Sequence, residues 1–285
     1  MKGYKGFDPG LVCKDKQYAE NTVFGEDEAV ICHSGMHFCQ NPFDVLDHYG
    51  LVREDGSFND FAEVEALDEA KTDDNKKYCT KKLKVGAKLS FARFVKACVD
   101  FVLEKTVTDM PNSNVNSGDS AQIGSSGDFA QIGSSGYSAK IGSSGYFAKI
   151  GSSGDSAKIG SSGDSAQIGS SGYSAQIGSS GDSAQIGSSG DSAQIGSSGD
   201  FAKIGSSGYS AKIDCTGSDS VICCAGGNSV VKAKTGCWIT LAEWVHDREK
   251  GRKIPVCVKT EYVDGERIKA DTWYKLENGE FVECN

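Results

Sequence analysis

The chain is poor in the residues that most site chemistry needs. Its 285 residues include four His, three Trp, three Met and four Pro. Scarce His leaves few candidates for proton transfer or metal ligation. No apolar run approaches the roughly 18 residues that mark a membrane-spanning helix. The opening MKGYKGFDPG lacks the apolar stretch of a secretory signal, so a cytoplasmic protein without membrane contact is expected. Eleven Cys are present, but the number is odd and no CxxC pair occurs, so reduced thiols are expected rather than a disulfide framework. Net charge is −9, no segment is basic, and no Lys/Arg cluster is interleaved with aromatics, which argues against direct nucleic-acid binding. No phosphate-binding glycine loop or nucleophile–base spacing stands out. The expectation is a non-enzymatic protein without a cofactor.

What the chain does have is a phrase, GDSAQIGSS, repeated with small edits. Ile recurs every nine residues from Ile123 to Ile222, and Val231 takes the next slot. Ala stands two residues before Ile from Ala121 to Ala211. A flexible Gly/Ser linker has no reason to hold Ala and Ile in phase. In S-A-Q-I-G, Ala and Ile share one face at period two while Gln or Lys takes the other, the pattern of a short half-buried strand. The following G-S-S-G reads as a tight turn. One such strand buries too little, whereas stacked copies bury a continuous Ala/Ile core, which is a β-solenoid.

The edits set the coil length. Phe129, Phe147 and Phe201 replace Ser and differ by multiples of 18, so two nonapeptides per coil place them on one edge. On the other edge the preceding slot alternates: Asp119, Tyr137, Asp155, Tyr173, Asp191, Tyr209. Phe129, Phe147 and Phe201, with Tyr137, Tyr173 and Tyr209, are therefore candidate docking residues. A calcium-binding roll also uses nine-residue repeats, but here Tyr replaces Asp in several copies and would break an oxygen cage, so no metal is expected. SAQIG also resembles the SxAxG repeats of trimeric-adhesin heads, which have a longer period and carry export signals.

Residues 1–108 read as an α+β domain. Asn41-Pro42 opens a short helix to about Tyr49, and Ser90 caps a longer one with Phe91, Phe94, Val95, Cys98 and Val102 on its apolar face. Residues 29–39 and 61–67 read as strands. Cys32, His33, His37 and Cys39 invite a zinc reading, but their spacing is not that of a standard site, and packing is the expectation. His48 reads as a solvated surface residue.

YKGFDPGLVC, GMHFCQNPFDVLDHY and FAEVEAL resemble the N-terminal domain of uncharacterised phage and prophage proteins of low-GC Gram-positive bacteria. Those proteins share the order of parts seen here: this domain, a Ser/Gly/Ala nonapeptide array, then a tail like IKADTWYKLENGEFVE. The resemblance implies a viral setting in a host cytoplasm and brings no catalytic residues. Tyr4-Lys5-Gly6 followed by Gly35-Met36-His37-Phe38 is also similar to the opening of ADP-ribosyltransferase-like domains. That resemblance implies an aromatic or His beside a nicotinamide and a late catalytic Glu; Glu63 and Glu65 are the nearest offers, but they come early.

Residues 235–285 read as a β-meander. Pro255–Val263 alternates, Asp264-Gly265 and Asn278-Gly279 mark hairpin turns, and Trp244 and Trp273 are candidate docking residues. The expected architecture is mainly β: a β-roll-like solenoid at 109–234, flanked by the α+β domain at 1–108 and a small capping or interaction domain at 235–285. The expected function is a binding or scaffold protein that captures a host protein, for instance to inhibit a bacterial defence system such as CRISPR. Alternatives are an ADP-ribosyltransferase-like enzyme on a rod, or a homo-oligomeric component of a viral assembly.

Overall fold

The computed structural model describes residues 1–51, 53, 58–105 and 113–284. The expected boundary at 108/109 lies outside them. The chain divides into two compact units, Met1–Phe101 and Val102–Asn285.

The N-terminal unit is built on β1 (Lys2–Phe7), β2 (Val12–Cys13), β3 (Lys16–Gln17), β4 (Thr22–Gly25), β5 (Met36–Cys39), α1 (Pro42–Val45), β6 (Asp60–Ala66), β7 (Lys77–Thr80), β8 (Lys82–Leu89) and α2 (Phe91–Lys105). Six strands form one antiparallel sheet in the order β4-β8-β6-β1-β5-β7, and β2–β3 is a separate hairpin. The alternation in FAEVEA becomes β6, whose Ala62, Val64 and Ala66 are buried. Asn41 caps α1 through its side chain, as its sequence implies. Ser90 does the same for α2, where Phe94 stacks on Phe61 with ring centroids 3.9 Å apart. The expected strand over residues 29–39 is shorter: only Met36–Cys39 is a strand. Cys32 and Gly35 lie at positive φ, which breaks the extended run into a turn before β5.

The second unit is the solenoid. Strands of four residues recur every nine residues, from β10 (Gln122–Ser125) and β11 (Gln131–Ser134) to β21 (Val221–Cys224) and β22 (Val230–Ala233), preceded by β9 (Ser113–Asn116). Each strand pairs in parallel with the strand 18 residues away, Ile on Ile and Gly on Gly, so the coil contains two nonapeptides. Even-numbered strands form one sheet and odd-numbered strands the other. The ladder continues through the turns: Lys140 N–H donates to Ala121 O at 2.7 Å, Ser144 N–H to Ser125 O at 3.1 Å, and Ser138 N–H to Asp155 O in the next coil at 2.9 Å. Every coil thus satisfies the backbone of its neighbours, as burial demands. Ile and Ala point inward, and Ile141, Ile159, Ile177, Ile195 and Ile213 are fully buried. Each contributes about 1.5–3 kcal/mol of burial.

Two details of the coil differ from expectation. The first Ser after Ile-Gly is a core residue, not a turn residue: Ser143, Ser161, Ser179 and Ser197 are fully buried, in phase with Ile at period two. The same slot becomes Cys215, Cys224, Ala233 and Leu241 toward the far end, where the core turns fully apolar. Cys224 is accordingly buried and Cys223 exposed, as their opposite orientations on a strand require. The second difference concerns glycine. The residue in the left-handed region is Ser or Phe, such as Ser138 at φ 54° and Phe147 at φ 54°. The Gly before Asp or Tyr serves a different purpose: a Cβ at Gly172 would land on the carbonyl oxygen of Gly154, one coil earlier.

The C-terminal strands finish this core rather than forming a separate one. β23 (Trp238–Asp247) continues the odd sheet in parallel with β21, and β24 (Arg252–Tyr262) turns back along it. The hairpin therefore closes at residues 248–251, and Asp264-Gly265 instead marks the exit from β24, with Gly265 at φ 84°. On the even sheet, β25 (Tyr274–Glu277) adds antiparallel to β22 and pairs with β26 (Glu280–Glu283) through the Asn278-Gly279 turn, both of whose residues have positive φ. Val263, Ile268, Tyr274 and Leu276 join the Ile cluster. The last edge strand, β24, carries Arg252, Lys253, Lys259 and Pro255, opposite a bulge at Glu243/Trp244, features that discourage further pairing.

Candidate functional site

Two places in the molecule offer a site: the outer surface of the rod and a cavity in the N-terminal unit.

On the rod, Phe129 and Phe147 stack at the turn edge with centroids 5.3 Å apart and planes 6° from parallel, and both are exposed. Phe201 lies on the same edge three coils on, also exposed. Tyr137 and Tyr173 are exposed on the opposite edge. The remaining aromatic candidates are differently placed. Tyr209 is also exposed, with Lys253 Nζ 4.1 Å from its ring centroid. Trp244 packs over Gly227 and donates its indole N–H to Ala225 O at 2.9 Å, tying the β23–β24 hairpin to the last coil. Trp273 is only 7% exposed and stacks beneath Lys232, so it is a core residue and does not belong to a docking face.

The Asp of the turn has a role that its sequence pattern does not reveal. Asp164 Oδ1 accepts the backbone N–H of Asp182 at 2.9 Å, and Asp182 Oδ1 accepts that of Asp200 at 2.9 Å. Asp119, Asp128, Asp155 and Asp191 do the same for the Tyr one coil later. The carboxylate thus pins each coil to the next, and like charges stack in adjacent coils because each is engaged by a backbone donor.

The outward face of the odd sheet is a shallow trough. Its floor is the column Gly151, Gly169, Gly187 and Gly205, with nothing within 4 Å of where a Cβ would stand. Gln and Lys ladders border it, and it ends at Val221. There Val221 pairs with Trp238, and Trp238 with Tyr262, their rings 5.1 Å apart. Val221 is 52%, Trp238 48% and Tyr262 40% exposed, and Val258 is exposed on the same outward face. Sequence reading missed this apolar patch. The clue was the register: Trp238 stands one residue before Ile239, where the repeat places its outward Gln or Lys.

The cavity of the N-terminal unit has a volume of about 490 Å³. β1 supplies Tyr4 and Lys5, the β2–β3 hairpin supplies Cys13, Lys14 and Lys16, and β5 supplies His37, Phe38 and Cys39. Tyr49, just past α1, closes one wall, over a glycine whose Cβ would come within 2.7 Å of its ring, Gly6. Lys5 Nζ donates to His37 O at 3.0 Å and to Cys13 Sγ at 3.4 Å, and Tyr49 Oη–H donates to the same sulfur at 3.0 Å. His37 Nε2 accepts the Cys32 N–H at 3.1 Å. Burial lowers the Lys5 pKa and raises those of Tyr18 and Tyr49. Burial, with the positive charges of Lys5 and Lys77, holds His37 down at about 4, and burial with nearby Asp44 and Asp47 pushes Cys39 up to about 12. His37 and Cys39 belong to this wall, Cys32 hydrogen-bonds to His37, and His48 lines the cavity from an exposed position. Among the described residues no group of three or more His, Cys, Asp or Glu is arranged to hold a metal.

Sequence reading found Tyr4 and His37 but not Lys5, Cys13 or Tyr49. Lys5 was legible in principle: it stands in phase with Phe7 on β1, so a strand that buries Phe7 turns Lys5 inward too.

These features define a β-solenoid protein whose α+β N-terminal unit carries a cavity lined by aromatic rings and lysines. Residues 1–97, within that unit, match a family model described as a domain of unknown function, DUF7666. No curated protein and no solved structure matches the chain.

Proposed function

We propose that the protein is a non-enzymatic binding scaffold that captures a partner protein on the odd sheet of its rod. The observation that carries this reading is the exposed Val221–Trp238–Tyr262 patch at the end of a flat, glycine-floored face. Aromatic anchors in a contiguous apolar patch are the usual centre of an interface. The Phe129–Phe147 stack supplies a second apolar contact on the turn edge of the same rod. The resemblance of the sequence to phage and prophage proteins makes the partner a host protein, and inhibition of a defence system such as CRISPR the sharper form of the proposal. Affinity capture from host lysate tests it, with Trp238→Ala and Tyr262→Ala run beside the parent. A partner retained by the parent and by Trp273→Phe, but released at least about tenfold by Trp238→Ala, supports the scaffold role. Capture that ignores both patch variants and Phe129→Ser/Phe147→Ser overturns it.

A second reading, an ADP-ribosyltransferase-like N-terminal unit, is favoured by one observation: Tyr4 and His37 line the same cavity. Glu63 is exposed on β6 and neither Glu63 nor Glu65 lines that cavity. Transfer of label from NAD that is lost in Tyr4→Ala would favour this reading over the first.

A further inference from the structure

The rod's role makes no use of Lys5. It is 5% exposed, and no carboxylate forms an ion pair with it among the described residues. Buried charges are ordinarily paired, because removing an ion from water is costly. The partners of Lys5 are instead a carbonyl and a thiol, which engage two of the three N–H bonds of an ammonium, and the rings of Phe7 and Tyr18, whose centroids lie 5.3 and 5.6 Å from Nζ; none carries a negative charge. The surrounding charges lean the same way. Lys14 and Lys77 also line the cavity, Lys16 is matched by Glu26, and Asp15 is the other acid, in a chain whose net charge is −9. Lys14 sits at φ 54° in the turn of the β2–β3 hairpin, a conformation that strains a non-glycine residue. The remaining wall is aromatic, made by Tyr4, Tyr18, Phe38 and Tyr49.

We propose that this cavity is a binding site for a small organic anion, a planar ring bearing a carboxylate or phosphate, with Lys5 as the buried cation that receives the anionic group. A volume of about 490 Å³ is ample for a ligand of that size. The ring lies against the tyrosines, and Lys14 and Lys77 complete the positive field. This assignment stands apart from the rod's partner.

Burial holds the Lys5 pKa below its ordinary value. An anion beside the amine favours the charged form and offsets that cost, so affinity for the anion falls as pH rises through the range in which Lys5 loses its proton. The other titratable groups facing Lys5 are Cys13, Lys14 and Cys39. Further out are Tyr18 and Tyr49, whose pKa values lie above the usual tyrosine range, and His37, neutral at pH 7. Asp15, Lys16, Glu26, Cys32, His48 and Lys77 complete the lining charges. His37→Gln removes the imidazole beside Lys5 and leaves the amine in place.

The test is titration calorimetry on the full chain with adenosine 5′-monophosphate, benzoate, inorganic phosphate and uncharged adenosine. At least one ring-bearing anion should bind, in the parent and in His37→Gln. Lys5→Met, which keeps the buried aliphatic stem, should weaken binding about tenfold to a hundredfold. Adenosine should bind far more weakly than its monophosphate. A monophosphate that binds while benzoate does not assigns the phosphate form of the anion, and the reverse assigns the carboxylate. Binding by none of the probes, equal binding of adenosine and its monophosphate, or parent-like binding by a folded Lys5→Met overturns the proposal. The first two measurements need no variant to fold.

Discussion

The rod and the N-terminal unit solve the same problem in opposite ways. In the rod every requirement recurs: an inward Ile, a buried Ser, a close-approach Gly and a left-handed turn residue, once per nonapeptide. The backbone of one coil satisfies that of the next, and a fault in one coil is felt by its two neighbours. In the N-terminal unit each requirement occurs once. Phe7, Phe94 and Met36 fill particular holes in an antiparallel sheet, and a single lysine is buried beside a single thiol. The rod has a specified pattern; the N-terminal unit has specified residues.

The contrast is sharpest at glycine, where one residue type plays two roles within the same repeat. Gly172→Ala places a methyl on the Gly154 carbonyl and must push adjacent coils apart, so a loss of about 4 kcal/mol or more is expected in chemical denaturation. Gly169→Ala, three residues away on the open trough, meets nothing within 4 Å and should change stability by about 0.5 kcal/mol or less. Equal effects at the two sites would show that coil spacing is not what fixes Gly172. Next in size, Ile177→Ala opens a cavity in a fully buried stack and should cost about 2–5 kcal/mol. The rod's single-site losses can then be set against an acid effect at His37 in the N-terminal unit. His37 is held neutral with a pKa near 4 against an ordinary 6.5. A chain that unfolds takes up the proton that the folded unit refuses, so stability is full above pH 6.5 and falls as pH drops from 6.5 toward 4. Because His37 is partly solvated, the loss should be about 1–2 kcal/mol, and His37→Gln should flatten it. A smaller loss is expected for Asp164→Ala, which removes one acceptor from the Asp182 N–H and should cost about 1 kcal/mol by thermal melting.

Legibility followed the same division. Periodicity exposed the coil length, the strand register and the inward Ile and Ala, because a repeated pattern averages away accidents of any one position. It did not expose the buried Ser, since a small polar residue beside Gly reads as turn chemistry and its inward direction depends on strand length. Nor did it assign the left-handed position. Glycine was the natural choice for positive φ, yet that position holds Ser or Phe, and glycine is required by stacking distance, a tertiary property. In the N-terminal unit Asn41-Pro42, Ser90 and FAEVEAL were legible from local chemistry. The cavity was not: Lys5, Cys13 and Tyr49 converge from β1, a hairpin and the end of α1, and only the sheet order brings them together. Trp273 illustrates the reverse error, an aromatic taken for surface that closes the core beneath Lys232.

The two-phrase coil has a consequence for how the array can grow or shrink over generations. Gain or loss of nine residues would send all downstream side chains to the opposite flank, separating Phe201 from the flank of Phe129 and presenting the terminal cap with the wrong partner. Changes of eighteen leave every flank and the cap in place. Viable length variants should therefore be even-numbered, and an odd one should reveal itself by a mis-seated carboxyl-terminal hairpin.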